Sequence, residues 1–146
     1  MKPSLPALLA LLPLLAAGCI GKECNLMYAP DALEIDFSPA LTGDGAWSVT
    51  LSGDLDAACT VSLPLADDGA PDCDTEGVEL VLSDDGSAIE AISLFGLAPE
   101  HLTLDVALEG ATILSEDLTP TYTVDEPNGE GCGERQSAVV VVDTAG

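Results

Sequence analysis

Short runs in which apolar and polar residues alternate, each closed by Gly, Pro or Asp, constrain this chain more than any other feature. A period of two turns one side of an extended segment toward a core and the other toward water, so it specifies half-buried strands. Leu33, Ile35 and Phe37 stand opposite Glu34 and Asp36; Trp47, Val49 and Leu51 opposite Ser48, Thr50 and Ser52; Cys59, Val61 and Leu63 opposite Thr60 and Ser62. Val78, Leu80 and Leu82 repeat the pattern, and Leu102, Leu104, Val106 and Leu108 alternate with Thr103, Asp105 and Ala107. The breaks fall at Pro39 with Gly43-Asp44-Gly45, at Pro64, Asp84-Asp85-Gly86, Glu109-Gly110 and Pro127-Asn128-Gly129. These are turn residues because Gly tolerates positive φ, Pro fixes its own φ, and Asp and Asn bond their neighbouring backbone. Thr112 to Leu118, an extended piece from Pro120 and a β-branched run through Ala138, Val140 and Val142 complete the series. Ile89 to Phe95 fits either a strand or a single helical turn, and Ala66 to Gly77 reads as a loop.

Seven to nine short strands at regular spacing predict an all-β domain over residues 31–146, an antiparallel β-sandwich of immunoglobulin-like or transthyretin-like topology. Periodicity does not separate the two. Phe37, Trp47 and Tyr122 are expected to supply the bulk of an otherwise aliphatic core.

The N-terminus reads differently. Met1 and Lys2 precede an apolar run from Leu5 to Ala17, interrupted by Pro6 and Pro13, and Ala17-Gly18 offers the small side chains that a signal peptidase requires. With two internal prolines the run is too short to span a bilayer, which takes roughly 20 apolar residues. Leu15-Ala16-Ala17-Gly18-Cys19 resembles the lipobox of bacterial lipoproteins, with Ala16 where Leu is usual. The resemblance implies removal of residues 1–18, a diacylglyceryl thioether on Cys19 and a further palmitate-class chain on the freed amine. Two or more chains hold a protein firmly on a bilayer, so residues 19–30 become a lipidated cysteine and tether, and the lipid bilayer becomes the first partner. Ile20 in place of Asp after the cysteine favours the outer membrane over the inner, with the body periplasmic or surface-exposed.

Five cysteines leave Cys24, Cys59, Cys73 and Cys132 once Cys19 carries lipid. An even remainder in an exported chain indicates two disulfides, and three pairings are open. The expected pairs are Cys59 with Cys73, closing a Pro/Asp/Gly-rich loop, and Cys24 with Cys132, tying the start of the domain to its last turn. Zinc is disfavoured, because no pair of cysteines has the close spacing of a zinc site and His101 is the one histidine.

Charge sets the partners aside. The chain carries 26 Asp and Glu against three Lys and Arg, a net −23. Loss of Lys2 with the leader makes the mature body one unit more negative. Nucleic acid and anionic headgroups both bind through Lys and Arg, so neither is a partner of this body. Charge this high accompanies disorder in many chains, but 47% hydrophobic residues and a mean hydropathy of +0.35 specify a folded core here. Self-repulsion remains, and salt or divalent cations should relieve it.

The segment from Pro120-x-Tyr122 through Pro127-Asn128-Gly129-x-Gly131-Cys132 to Arg135-Gln136-Ser137-Ala138 resembles the C-terminal end of small uncharacterised β-sandwich lipoproteins of Gram-negative bacteria. Those proteins often carry a second cysteine about four residues later. Gln136 stands there in this chain, which leaves Cys132 for Cys24. The resemblance implies the sandwich and brings no activity.

Nucleophile elbows, Cys-x-x-Cys pairs, Gly-rich phosphate loops and His-Glu-x-x-His are all absent from the sequence. No catalytic residue is expected, and His101, following Pro99-Glu100, reads as a surface residue. One acidic cluster has the opening pattern of a calcium loop: Asp72, Asp74 and Glu76 at alternate positions, then Gly77. Ser83 occupies the place of the bidentate Glu, so these three are weak calcium candidates and no cofactor is otherwise expected. The leading expectation is a non-enzymatic envelope lipoprotein whose sandwich is a binding or structural module for an unidentified protein or glycan. A carboxylate-based hydrolase or accessory enzyme acting on envelope carbohydrate or peptide is the alternative, and an acidic cation-binding protein a weaker one.

Overall fold

The computed structural model describes residues 24–25 and 27–146; the leader, Cys19 and the first part of the tether lie outside the described residues. Ten strands follow in order: β1 (Ala32–Thr42), β2 (Gly45–Gly53), β3 (Ala57–Leu63), β4 (Asp72–Cys73), β5 (Val78–Leu82), β6 (Ala88–Phe95), β7 (Leu102–Leu108), β8 (Ala111–Leu118), β9 (Thr123–Asp125) and β10 (Arg135–Asp143). They form two five-stranded sheets, β5-β6-β1-β10-β9 and β4-β3-β2-β7-β8, and no helix occurs among the described residues.

Each sheet is assembled from antiparallel neighbours, β2 with β3, β5 with β6, β7 with β8 and β9 with β10. The exception is β1. It runs between β6 and β10, antiparallel to the first and parallel to the second, with Leu33 opposite Ala138, Ile35 opposite Val140 and Phe37 opposite Val142. An immunoglobulin sandwich keeps its first two strands in one sheet and sends the third to the other. Here β1 and β2 occupy different sheets while β2 and β3 share one, so the strand order departs from the immunoglobulin one.

The alternating positions do what period two requires. Leu33 and Ile35 of β1, Val49 and Leu51 of β2, Cys59 of β3, Ile92 and Leu94 of β6, and Leu104 and Val106 of β7 are all sealed from water, and no polar or charged side chain is buried among the described residues. Each such aliphatic side chain contributes roughly 1.5–3 kcal/mol through burial. Trp47 and Phe37 are buried as expected, and the Trp47 Nε1–H donates to the Gly43 carbonyl at 2.9 Å, so the indole carries no unpaired polar atom into the core. Tyr122 is only half-buried and packs against the core's edge.

One segment left open between two readings is a strand, and one expected loop contains a further strand. Residues Ile89 to Phe95 lie in strand β6, and Glu90 is bulged against β5, where Ala91 pairs with Val81 and Ile89 with Leu82; against β1 the extra residues are those between Asp36, opposite Ala91, and Leu41, opposite Ile89. The bulge sets Ile89 and Ile92 on the core side three residues apart, a spacing that imitates a helix. Within the expected loop Ala66 to Gly77, Asp72–Cys73 forms β4, held opposite Thr60 and Cys59.

Strand direction assigns all loops but 119–122 to one of two ends. The lead-in 24–31 shares its end with residues 54–56, 74–77, 96–101 and 126–134; the far end carries residues 43–44, 64–71, 83–87, 109–110 and the C-terminus. Bonds across each end agree with this, Gly96 N–H to Asp31 O (2.7 Å) at the first and Leu65 N–H to Gly86 O (2.9 Å) at the second.

Candidate functional site

The lead-in end is where most of the sequence-predicted features meet. Cys24 is bonded to Cys132 with Cα atoms 5.5 Å apart, and Cys59 to Cys73 across the β3–β4 pair with Cα atoms 4.1 Å apart. Both bridges are those expected. Around the first, Asn25 N–H donates to the Asn128 carbonyl and Met27 N–H to Asn128 Oδ1, each at 3.1 Å. The Pro127-Asn128-Gly129 turn therefore serves as a dock for the incoming chain. Glu126 Oε1 accepts from Gly131 N–H at 2.7 Å and closes the same turn.

Asp31 ends the lead-in and fixes the start of β1. Its Oδ1 accepts from Gln136 N–H at 2.7 Å. Beside it, the Tyr122 hydroxyl donates to the Pro99 carbonyl at 2.9 Å, and burial together with the Asp31 charge pushes this phenol up to about 12. Arg135 makes a two-pronged contact with Asp125, Nε to Oδ1 at 3.1 Å and Nη2 to Oδ2 at 2.7 Å, which holds the guanidinium still more firmly protonated. Met27 (58% exposed) and Tyr28 (90%) project into solvent from the docked lead-in.

The three calcium candidates are not gathered around a common point. Asp72 lies in β4 opposite Thr60. Asp74 turns its Oδ1 to the start of β3, accepting from Ala58 N–H at 2.8 Å and from the Thr75 hydroxyl at 2.9 Å, bonds that hold its carboxyl below the usual range. Glu76 sits in the following turn, and among the described residues no three His, Cys, Asp or Glu side chains are placed to share a metal ion. Gly77 has a role unrelated to cation wrapping. Its φ is +81°, its carbonyl accepts from Phe95 N–H at 2.7 Å, and a Cβ there would collide with the Phe95 carbonyl oxygen.

His101 is exposed, with Nδ1 3.5 Å from the Thr119 hydroxyl. Its backbone matters more than its ring: Asp54 Oδ2 accepts from His101 N–H (2.8 Å) and Glu100 N–H (3.1 Å), while Asp54 N–H donates to the His101 carbonyl (3.0 Å). Asp85 does the same work at the far end. The Ser83 and Ser87 hydroxyls and the Ser87 N–H all donate to its Oδ1, and they lower its carboxyl to about 2. Asp85 belongs to the expected Asp84-Asp85-Gly86 turn, whereas Asp54 stands outside the strand pattern; an Asp directly after a Gly at a strand end is the signal that could have found it.

The outer face of the β1 sheet carries a shallow, open depression of about 450 Å³ lined by Glu34, Ser93, Phe95, Thr123, Ser137 and Val139 among others. It offers hydroxyl groups, a half-exposed ring and one carboxylate. Val141 extends the apolar part along the same face beside Asp36. Comparison with family models, with curated proteins and with solved structures returns no match for this chain. The fold and its two bridges thus define a disulfide-tied all-β sandwich and nothing narrower.

Proposed function

We propose that the chain is an envelope lipoprotein, anchored through an acylated Cys19 after loss of residues 1–18, whose sandwich is a non-enzymatic binding or structural module. The observation that carries this reading is the cysteine balance. Two bridges join Cys24 to Cys132 and Cys59 to Cys73, so of five cysteines Cys19 alone stands outside them, at the position that follows Leu-Ala-Ala-Gly. Paired cysteines also fit an oxidising compartment outside the cytoplasm. Ile20 after the cysteine points to the outer membrane. Labelled palmitate fed to a Gram-negative host expressing the full chain is expected in the wild-type protein and not in Cys19→Ser, with the wild type sedimenting in the outer-membrane fraction. Equal labelling of both, or of neither, rejects the anchor.

A further inference from the structure

We infer that the lead-in end of the sandwich rests on a zwitterionic phospholipid surface, with Met27 and Tyr28 entering the headgroup layer, and that the Cys24–Cys132 bridge sets this contact; the inference rests on the acylation proposed above.

Chain length supplies the constraint. Five residues lead from Cys19 to Cys24 and reach at most about 18 Å fully extended. A headgroup layer of roughly 6 Å lies between the hydrocarbon and water, so the bridge is held within about 12 Å of the membrane surface. The eleven residues of β1 alone extend about 36 Å away from that end. The far-end loops therefore cannot exchange places with the lead-in end while the bridge is closed. Opened, the first firmly bonded residue is Asp31, about 43 Å of extended chain from Cys19, and the body is free to present any face.

The surface so placed has the chemistry of an interface. Among the described residues of the lead-in, Tyr28 and Met27 are the exposed large hydrophobic side chains, and an aromatic ring with a polar tip is the kind of group that settles at headgroup depth. Asp31, Asp125, Glu126, Glu130 and Glu134 belong to the same end of the sandwich, and the guanidinium of Arg135 there is already engaged by Asp125. Anionic headgroups are repelled by such a rim, whereas a neutral phosphocholine or phosphoethanolamine layer is not.

Hydroxyl-radical footprinting of the acylated mature chain in phosphatidylcholine vesicles tests this against the soluble Cys19→Ser form. Oxidation of Met27 and Tyr28 should fall several-fold on the vesicle while Ile113 and Val141, exposed toward the far end, keep their rates. In acylated Cys24→Ser/Cys132→Ser the protection should be lost, and a flexible insert of about ten Gly and Ser residues before Cys24, which leaves the bridge intact, should abolish it equally. Acylated wild type whose Met27 and Tyr28 react as in solution, or whose far-end residues are protected instead, overturns the inference and leaves the lipoprotein standing. Protection retained in both long-tether forms overturns the role of the bridge. A Cys19 found without acyl chains by mass spectrometry removes both.

Discussion

Cutting the two disulfides one at a time should reverse the order that loop length dictates. The bridges span 108 and 14 residues, and the loop-entropy relation assigns them about 4.8 and about 3 kcal/mol. That relation takes for granted that the native chain keeps both sulfur positions in register once the bond is gone. Cys73 satisfies the condition. Asp74 N–H to Ala58 O (3.0 Å), Ala58 N–H to Asp74 Oδ1 (2.8 Å) and the Thr75 hydroxyl to Asp56 O (3.2 Å) hold its segment beside β3 without help from sulfur. Cys24 does not satisfy it, because among the described residues of its lead-in there are two hydrogen bonds to Asn128 and no buried apolar anchor before Asp31. Freed, the stretch from Cys24 to Asp31 behaves as a loop of about seven residues and regains about 2.4 kcal/mol in the native state, which leaves the long bridge a net contribution of about 2.4 kcal/mol. Cys59 is fully buried, and loss of its sulfur adds roughly 1 kcal/mol to the short bridge. Urea unfolding of the soluble Cys19→Ser form should therefore show Cys59→Ala/Cys73→Ala losing about 4 kcal/mol and Cys24→Ala/Cys132→Ala a little over half of that. A loss near 5 kcal/mol for the long bridge, exceeding that of the short one, would refute the view of the lead-in as a strap fastened mainly by its disulfide.

Three further outcomes follow from the same structure. Asp85 has a depressed carboxyl, so its contribution is present above the ordinary carboxylate range and fades as pH falls toward about 2; Asp85→Asn should melt below wild type at pH 7, and the gap should close on acidification. Every acidic residue but Glu23 lies among the described residues with Arg135 as the one Lys or Arg beside them, so added NaCl should raise the melting temperature steadily, and a flat response would contradict dominant self-repulsion. Ile35→Ala or Leu104→Ala empties a site with no exposure and should cost about 2–5 kcal/mol, while Val141→Ala on the outer face should stay within about 0.5 kcal/mol in the same unfolding assay.

Where one face is buried and the other wet, the sequence declares the strand, and β1, β2, β3 and β7 were legible for that reason. The bulge at Glu90 hid β6 by spacing Ile89 and Ile92 like helical neighbours. In β10 four consecutive valines blur the alternation, yet the expected set of Ala138, Val140 and Val142 is the one that packs on the core, with Val139 and Val141 outward. The parallel pairing of β1 with β10 joins residues about a hundred positions apart, and nothing local encodes it. β4 is two residues long and owes its place to Cys73 and Asp74, contacts invisible to any period. At the candidate site cysteine parity announced two bridges, and the choice among three pairings rested on which loops each would close. The docking of Asn25 and Met27 on Asn128 could not be anticipated, since it depends on where two distant turns come to rest.

The most direct measurement is the intact mass, with sequencing of the N-terminal peptide, of the chain purified from membranes of an expressing Gram-negative cell. The lipoprotein account predicts a first residue Cys19 bearing acyl chains, with the other four cysteines oxidised in pairs. A free thiol at Cys19, or a leader still attached, contradicts it.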